Sequence, residues 1–197
     1  MRIGLTGGIA SGKSTVSRLL LQRGYPIVDA DVIAREVVLP GQDTYHAIIK
    51  EFGSSILHED QTINRKKLGS IIFGNEIKRQ KLNEIIHPAI RQAMKTKASE
   101  FEKKGHAIVI MDIPLLLESK LTYMVEKILL VYVRKELQLV RLMDRDNFSK
   151  EEALQRIESQ MSIEEKRKYA DYIIDNQGSI EETERQLDEI TVKWVND

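Results

Sequence analysis

Gly7, four intervening residues, then Gly12, Lys13 and Ser14 spell GxxxxGKS inside the stretch GLTGGIASGKST, residues 4–15. Glycines in such a loop let the backbone curl tightly enough to turn successive N–H groups inward on one anion. A lysine at this spacing reaches the β- and γ-phosphates of a nucleotide, and the serine hydroxyl suits a Mg²⁺ ligand. The helix expected after the loop would present its free N–H groups and positive dipole end to the same anion. The plainer alternative is a glycine-rich turn that caps a helix. An apolar strand before the loop and a helix after it favour a loop that holds a nucleoside triphosphate.

Holding a nucleotide is not yet chemistry, and three further groups supply candidates for it. Asp29 and Asp31 end the segment PIVDAD. Ligands of open α/β sheets sit at the carboxyl ends of the strands. The strand ending in these acids is expected beside the first strand, which would set both near the transferred phosphoryl group. Capping the next helix is the role read for Asp29. Asp31 is read as the group that accepts the acceptor hydroxyl's proton or orients its oxygen in line. Arg35, four residues on, shares a helix face with Asp31 and is either half of a surface ion pair or a cation for an anionic acceptor. Asp112 ends or interrupts the apolar run AIVIMD, where a carboxylate needs a partner, and Mg²⁺ near Ser14 is the natural one. Arg141 and Arg145 lie four apart on one face of a charged segment fit to be a lid, where arginines neutralise charge on the transferred group. A solvated charged helix is the bland reading of the same residues.

The elements that must position these groups follow from periodicity. Apolar runs at residues 2–6, 107–117 and 127–133, with shorter ones ending at 31 and spanning 171–175, read as strands buried on both faces. Helical patterns begin at Ser14, with Val16, Leu19 and Leu20 on one face, and close the chain with Leu187, Ile190 and Trp194 on another. Pro40-Gly41 stops the second helix, and Gly53, Gly74-Asn75 and His87-Pro88 are loop signals in the charged, mostly helical stretch 43–105. One charged helical stretch is read from Lys135 to Tyr169. Strand–helix alternation of this kind predicts an α/β fold with a parallel, doubly wound sheet and a helical insertion between the second and third strands.

Thirty basic residues balance thirty acidic ones in a chain of 197, so no net field favours nucleic acid or an anionic membrane. Cysteine is absent, which removes disulfides, thiol nucleophiles and Cys-ligated metals. No leader-like segment or apolar run of about 20 residues is visible, so a cytoplasmic protein without membrane or nucleic-acid partners is expected. An Asn-Lys-x-Asp segment that would read a guanine base is missing, and the D-x-x-G at Asp175–Gly178 follows the last strand, where a GTPase switch has no γ-phosphate to sense.

Assembled in order, IGLTGGIASGKSTV, VDADVIAREVV, LGSIIF, IIHPAI, DIPLLLE, RLMDRDNFSKEEALQRIESQM and ADYIIDNQGS resemble the dephospho-coenzyme A kinases over almost the whole chain. The first segment is common to many nucleotide kinases, while DADxIAR, HPxI and DIPLLLE in this order are far more specific. The resemblance implies a five-stranded parallel P-loop kinase core (about 1–35, 105–135 and 168–197), a helical coenzyme A lobe (about 36–104) and a helical lid (about 136–167). It implies ATP and dephospho-coenzyme A as substrates, Mg²⁺ as cofactor, and phosphorylation of the ribose 3′-hydroxyl. By matching position, Gly8, Ile9, Ala10, Ser11, Gly12, Lys13, Ser14 and Thr15 cradle the phosphates and Asp31 is the base. Arg141 and Arg145 serve the lid, and Asn176 lies near the adenine. His87 is read as a cap or packing device at a helix start; the resemblance places it in the acceptor lobe, where it or Arg65 meets the substrate's diphosphate. Family members more often carry glycine or a smaller turn near position 147, where this chain has RDNFS. A kinase of the same build acting on another small acceptor, and a slow nucleotide switch, remain as other readings.

Overall fold

The computed structural model describes residues 1–196. Five strands form one sheet: β1 (Arg2–Gly7), β2 (Ile27–Asp29), β3 (Val109–Asp112), β4 (Lys127–Tyr132) and β5 (Tyr172–Asp175). Their order is β2-β3-β1-β4-β5. β1 runs parallel to β3, with Leu5 opposite Asp112, and to β4, with Leu5 opposite Leu129; β4 runs parallel to β5.

This order corrects one expectation. The strand that ends in Asp29 is not a neighbour of β1; β3 lies between them. Burial explains the contest. All four residues of β3 are fully buried, whereas β2 has three residues of which only Val28 is. The fully buried segment takes the inner place beside β1 and the short one takes the edge. The run 107–117 also forms less strand than expected, because β3 ends at Asp112. Ile113 still donates to Leu5 O, but Pro114 has no N–H, and Leu116 and Leu117 leave the sheet as buried side chains of a turn.

Two helices cover one face. α1 (Lys13–Gln22) brings Val16, Leu19 and Leu20, and the C-terminal helix brings Leu187, Ile190 and Trp194, onto Ile3, Leu5, Ile110, Leu129, Val131 and Ile174. The strand side chains on this face alternate, as the two-residue period of a strand requires.

The chain divides into two compact units, Met1–Val28 with Glu100 onward, and Asp29–Ser99. The second is helical: α2 (Ala30–Glu36), α3 (Asp43–Phe52), α4 (Arg65–Ile72) and most of α5 (Glu76–Lys103). It has its own core of Ile48, Ile56, Leu68 and Leu82, ringed by Phe52, Ile63, Ile72 and Ile86. His87-Pro88 is not a loop or a helix start, since α5 runs through it for 28 residues. A proline there removes one helical hydrogen bond and crowds the carbonyl of Glu84. Glu84, His87 and Pro88 are all exposed, which puts the proline on the solvent side of the helix, while Leu82, Met94 and Ala98 keep the opposite face buried.

The stretch from Lys135 is three helices rather than one: α6 (Lys135–Asp146), α7 (Lys150–Glu158) and α8 (Ile163–Arg167). Asn147 turns the chain with φ 55°, a left-handed conformation that asparagine tolerates, and Ser149 and Glu152 cap α7 reciprocally. The last helix is α9 (Ile180–Asn196). Among the described residues no helix is long and apolar enough to cross a membrane.

Candidate active site

β1 delivers the chain at Gly7 and α1 takes it up at Lys13, so residues 8–12 make the whole loop. The loop is closed by Ser11 N donating to Gly8 O at 3.1 Å. Gly12, at φ 86°, is the left-handed residue that starts α1, and no side chain caps the helix. Its first N–H groups are therefore left for an anion. A side chain at Gly12 would strike the Asn176 amide, which donates to Ser11 O at 2.8 Å and accepts from Thr183 at 2.9 Å. Asn176 thus ties the end of β5 to the loop.

Lys13 forms an ion pair with Asp112. The carboxylate is 2% exposed at the end of β3, next to the loop strand, and the ammonium compensates its charge. Ser14 follows Lys13 in the first turn of α1. One hydroxyl and one carboxylate are hard oxygen donors, few enough that nucleotide oxygens and water complete the shell of a Mg²⁺ ion. The residues present fit that ion.

A second cation, this one fully buried, stands behind the loop, and periodicity gave no hint of it. Lys166 of α8 is fully buried and donates to Gly7 O at 3.1 Å and Pro114 O at 3.3 Å, and it pairs with Glu118 at 2.8 Å. Thr6 donates to the same Pro114 carbonyl at 3.0 Å. In EEKRKY this lysine looks like its exposed neighbours Lys168 and Arg167; only the structure separates it. Lys166→Met is expected to destabilise the fold by about 3 kcal/mol, the low end for a broken buried pair because the Glu118 side chain is 21% exposed. Urea denaturation measures this, and an unchanged midpoint would show that the pair holds nothing.

Asp29 caps α2, its Oδ1 accepting from Asp31 N at 2.8 Å and Val32 N at 3.0 Å. Asp31 is exposed, and its carboxylate has no hydrogen-bond partner among the described residues. Arg35 is exposed one turn further along α2. Arg65 opens α4, whose cap is Asn64 accepting from Lys67 N at 2.9 Å. His87 lines an open cavity of about 570 Å³ along α5 with Arg79, Asn83, Glu84 and Arg91; Arg35 and Arg65 do not line it. Arg141 is half-buried on α6. Arg145 forks onto Asp146 with two contacts of 2.8 Å, which raises the guanidinium's pKa and lowers that of the Asp146 carboxyl.

A parallel sheet of this order, with a phosphate loop leading from its central strand into α1 and a helical insertion after β2, defines a P-loop kinase of the nucleoside-monophosphate-kinase-like type. A shikimate kinase from Bacteroides thetaiotaomicron shares this fold at a TM-score of 0.51 and 17% identity. Much nearer likenesses exist. The family model described as dephospho-CoA kinase matches residues 1–182. The dephospho-CoA kinase of Oceanobacillus iheyensis is 55% identical over 192 residues, 98% of this chain and 96% of that protein. That of Shouchella clausii is 50% identical over 197 residues, the whole of both chains. The solved dephospho-CoA kinase from Campylobacter jejuni is 32% identical with a TM-score of 0.76, covering 98% of this chain and 96% of that one. The chain belongs to the dephospho-CoA kinase family.

Proposed function

We propose that this protein transfers the γ-phosphoryl group of ATP to the ribose 3′-hydroxyl of dephospho-CoA, giving CoA and ADP, the last step of CoA synthesis. The observation that carries the acceptor is the extent of the family likeness: identity of 50% runs through all 197 residues, helical insertion included. The loop supplies the donor half. Its N–H groups and Lys13 bind the β- and γ-phosphates and neutralise the charge that spreads over the transferred group. Mg²⁺, held by Ser14 and Asp112 together with phosphate oxygens and water, would supply further neutralisation there. Asp31 takes the hydroxyl proton as that oxygen attacks, which its unengaged carboxylate supports. Arg141 and Arg145 act on the phosphates from α6, with Arg145 exchanging Asp146 for them. Arg35, Arg65 and His87 serve the anionic groups of the acceptor, and Asn176 lies near the adenine. The balanced charge and absent cysteines support a cytoplasmic setting with no nucleic-acid or membrane partner.

Purified protein with ATP and Mg²⁺ is expected to release ADP when dephospho-CoA is added, and far less with nucleoside monophosphates or with no acceptor. The product should carry its new phosphate on the 3′-oxygen by mass spectrometry and selective dephosphorylation. Equal ADP release with a nucleoside monophosphate would replace this acceptor. Release independent of any acceptor would favour a slow nucleotide switch.

A further inference from the structure

The tip of the phosphate loop is built into the helices that follow β4. Ile9 N donates to Gln160 Oε1 at 3.0 Å, just beyond α7, and Gln138 Nε2 of α6 donates to Ile9 O at 2.8 Å. The side chains of Ile9 and Ala10 pack on Leu142, Ala153 and Ile157, the core between α6 and α7, with Leu139, Met143 and Phe148 around them. Gln138 is 2% exposed and sits one turn from Leu142 on the same buried face. Gly8 leaves room for it, because a side chain there would strike the Gln138 amide. Neither glutamine belongs to the GxxxxGKS pattern.

We propose that Gln138 and Gln160 are positioning residues of the phosphate loop, setting the direction of its donor groups for the phosphates of ATP. This rests on the reading of the loop as the ATP site. A trans peptide is planar, so fixing its carbonyl fixes the N–H on the other side. All peptides of the described residues are trans. Gln138 holds the Ile9 carbonyl and so aims the Ala10 N–H the opposite way, where it meets no acceptor among the described residues. Gln160 holds the Ile9 N–H and so aims the Gly8 carbonyl away, onto Ser11 N, which closes the loop. Between these two peptides Ile9 loses its backbone freedom, and the next residue, Ala10, is held at φ 58°. An alanine in that region is disfavoured and persists only where its surroundings over-determine it. The two amides and the α6–α7 core are those surroundings. The helices of the sequence-expected lid are thus anchored at their base on the loop, and nucleotide binding depends on side chains that need touch no nucleotide.

Gln138→Met and Gln160→Met remove each hydrogen bond at nearly constant volume. Each is expected to raise the KM for ATP about five- to tenfold, the worth of one well-placed hydrogen bond. The KM for the acceptor and the inhibition constant of adenosine, which has no phosphate, should stay within twofold. The double variant should lose less than the product of the two, because both bonds restrain the same residue. Gln160 is half-buried, so its variant folds and carries the test even if the buried Gln138→Met does not. Unchanged KM for ATP in folded variants overturns the proposal. So does an adenosine constant rising in parallel, which marks general damage, or a fully multiplicative double variant. If the wild-type protein itself binds ATP no better than adenosine, the ATP-site reading fails and this inference with it; phosphate-dependent wild-type binding with unaffected variants overturns this inference alone.

Discussion

Lys13→Ala is expected to lower turnover by about 10²–10³-fold, the scale of losing one preorganised charge from a phosphoryl-transfer site. The same change carries a cost the loop pattern alone does not announce. Lys13 is the ion-pair partner of Asp112, whose side chain is 3% exposed. Removing it takes the pairing ammonium away from a carboxylate that stays buried at the end of β3, and stability should fall by about 3 kcal/mol. A loss of activity in the single variant therefore mixes chemistry with folding. Lys13→Ala/Asp112→Asn separates them, because a neutral amide no longer needs a cation facing it. Denaturant unfolding of the double variant should recover most of the lost stability, while it should turn over far more slowly than Asp112→Asn alone, the reference that already carries the loss of the proposed Mg²⁺ ligand. Recovery of turnover along with stability would reduce Lys13 to a structural role.

Features carried by local chemistry were legible in the sequence. The phosphate loop reads from its own residue types, and the strands from unbroken apolar runs. Asp29 reads as a cap because aspartate before a helical pattern is a local signal. Features decided by competition between distant segments were not legible. The order of β2 and β3 depends on which segment buries more surface. The passage of α5 through Pro88 depends on which face meets solvent. The turn at Asn147 splits a charged stretch that periodicity alone treats as continuous, although the departure from glycine falls there. Gln138, Gln160 and Lys166 are the extreme case. Each of them meets a backbone group of residue 7 or 9, more than 120 positions away, and an amide or ammonium carries no mark of which backbone group it will meet. Gln138 left a partial signal, since a polar residue four positions before a core leucine on one helix face is out of pattern.

Asp31→Asn is the change that tests the chemistry most directly. The structure gives the two acids of VDAD different surroundings. Asp29 already receives the N–H groups of Asp31 and Val32, while the Asp31 carboxylate has no hydrogen-bond partner among the described residues. Asparagine keeps the size of Asp31 and adds no demand for burial, since the residue is exposed, so the unfolding midpoint should stay where it is. An amide cannot take the proton of the attacking hydroxyl, and turnover should fall by about a hundredfold or more. The KM for ATP should change little, because the role assigned to Asp31 is on the acceptor side of the transfer. Asp29→Asn is the internal control: asparagine is as good a cap as aspartate, so both stability and rate should be nearly kept. A crippled Asp29→Asn beside an active Asp31→Asn would exchange the two roles. Full activity in both would leave positioning by the loop and the arginines of α6 as the whole of catalysis, with the hydroxyl proton lost to solvent.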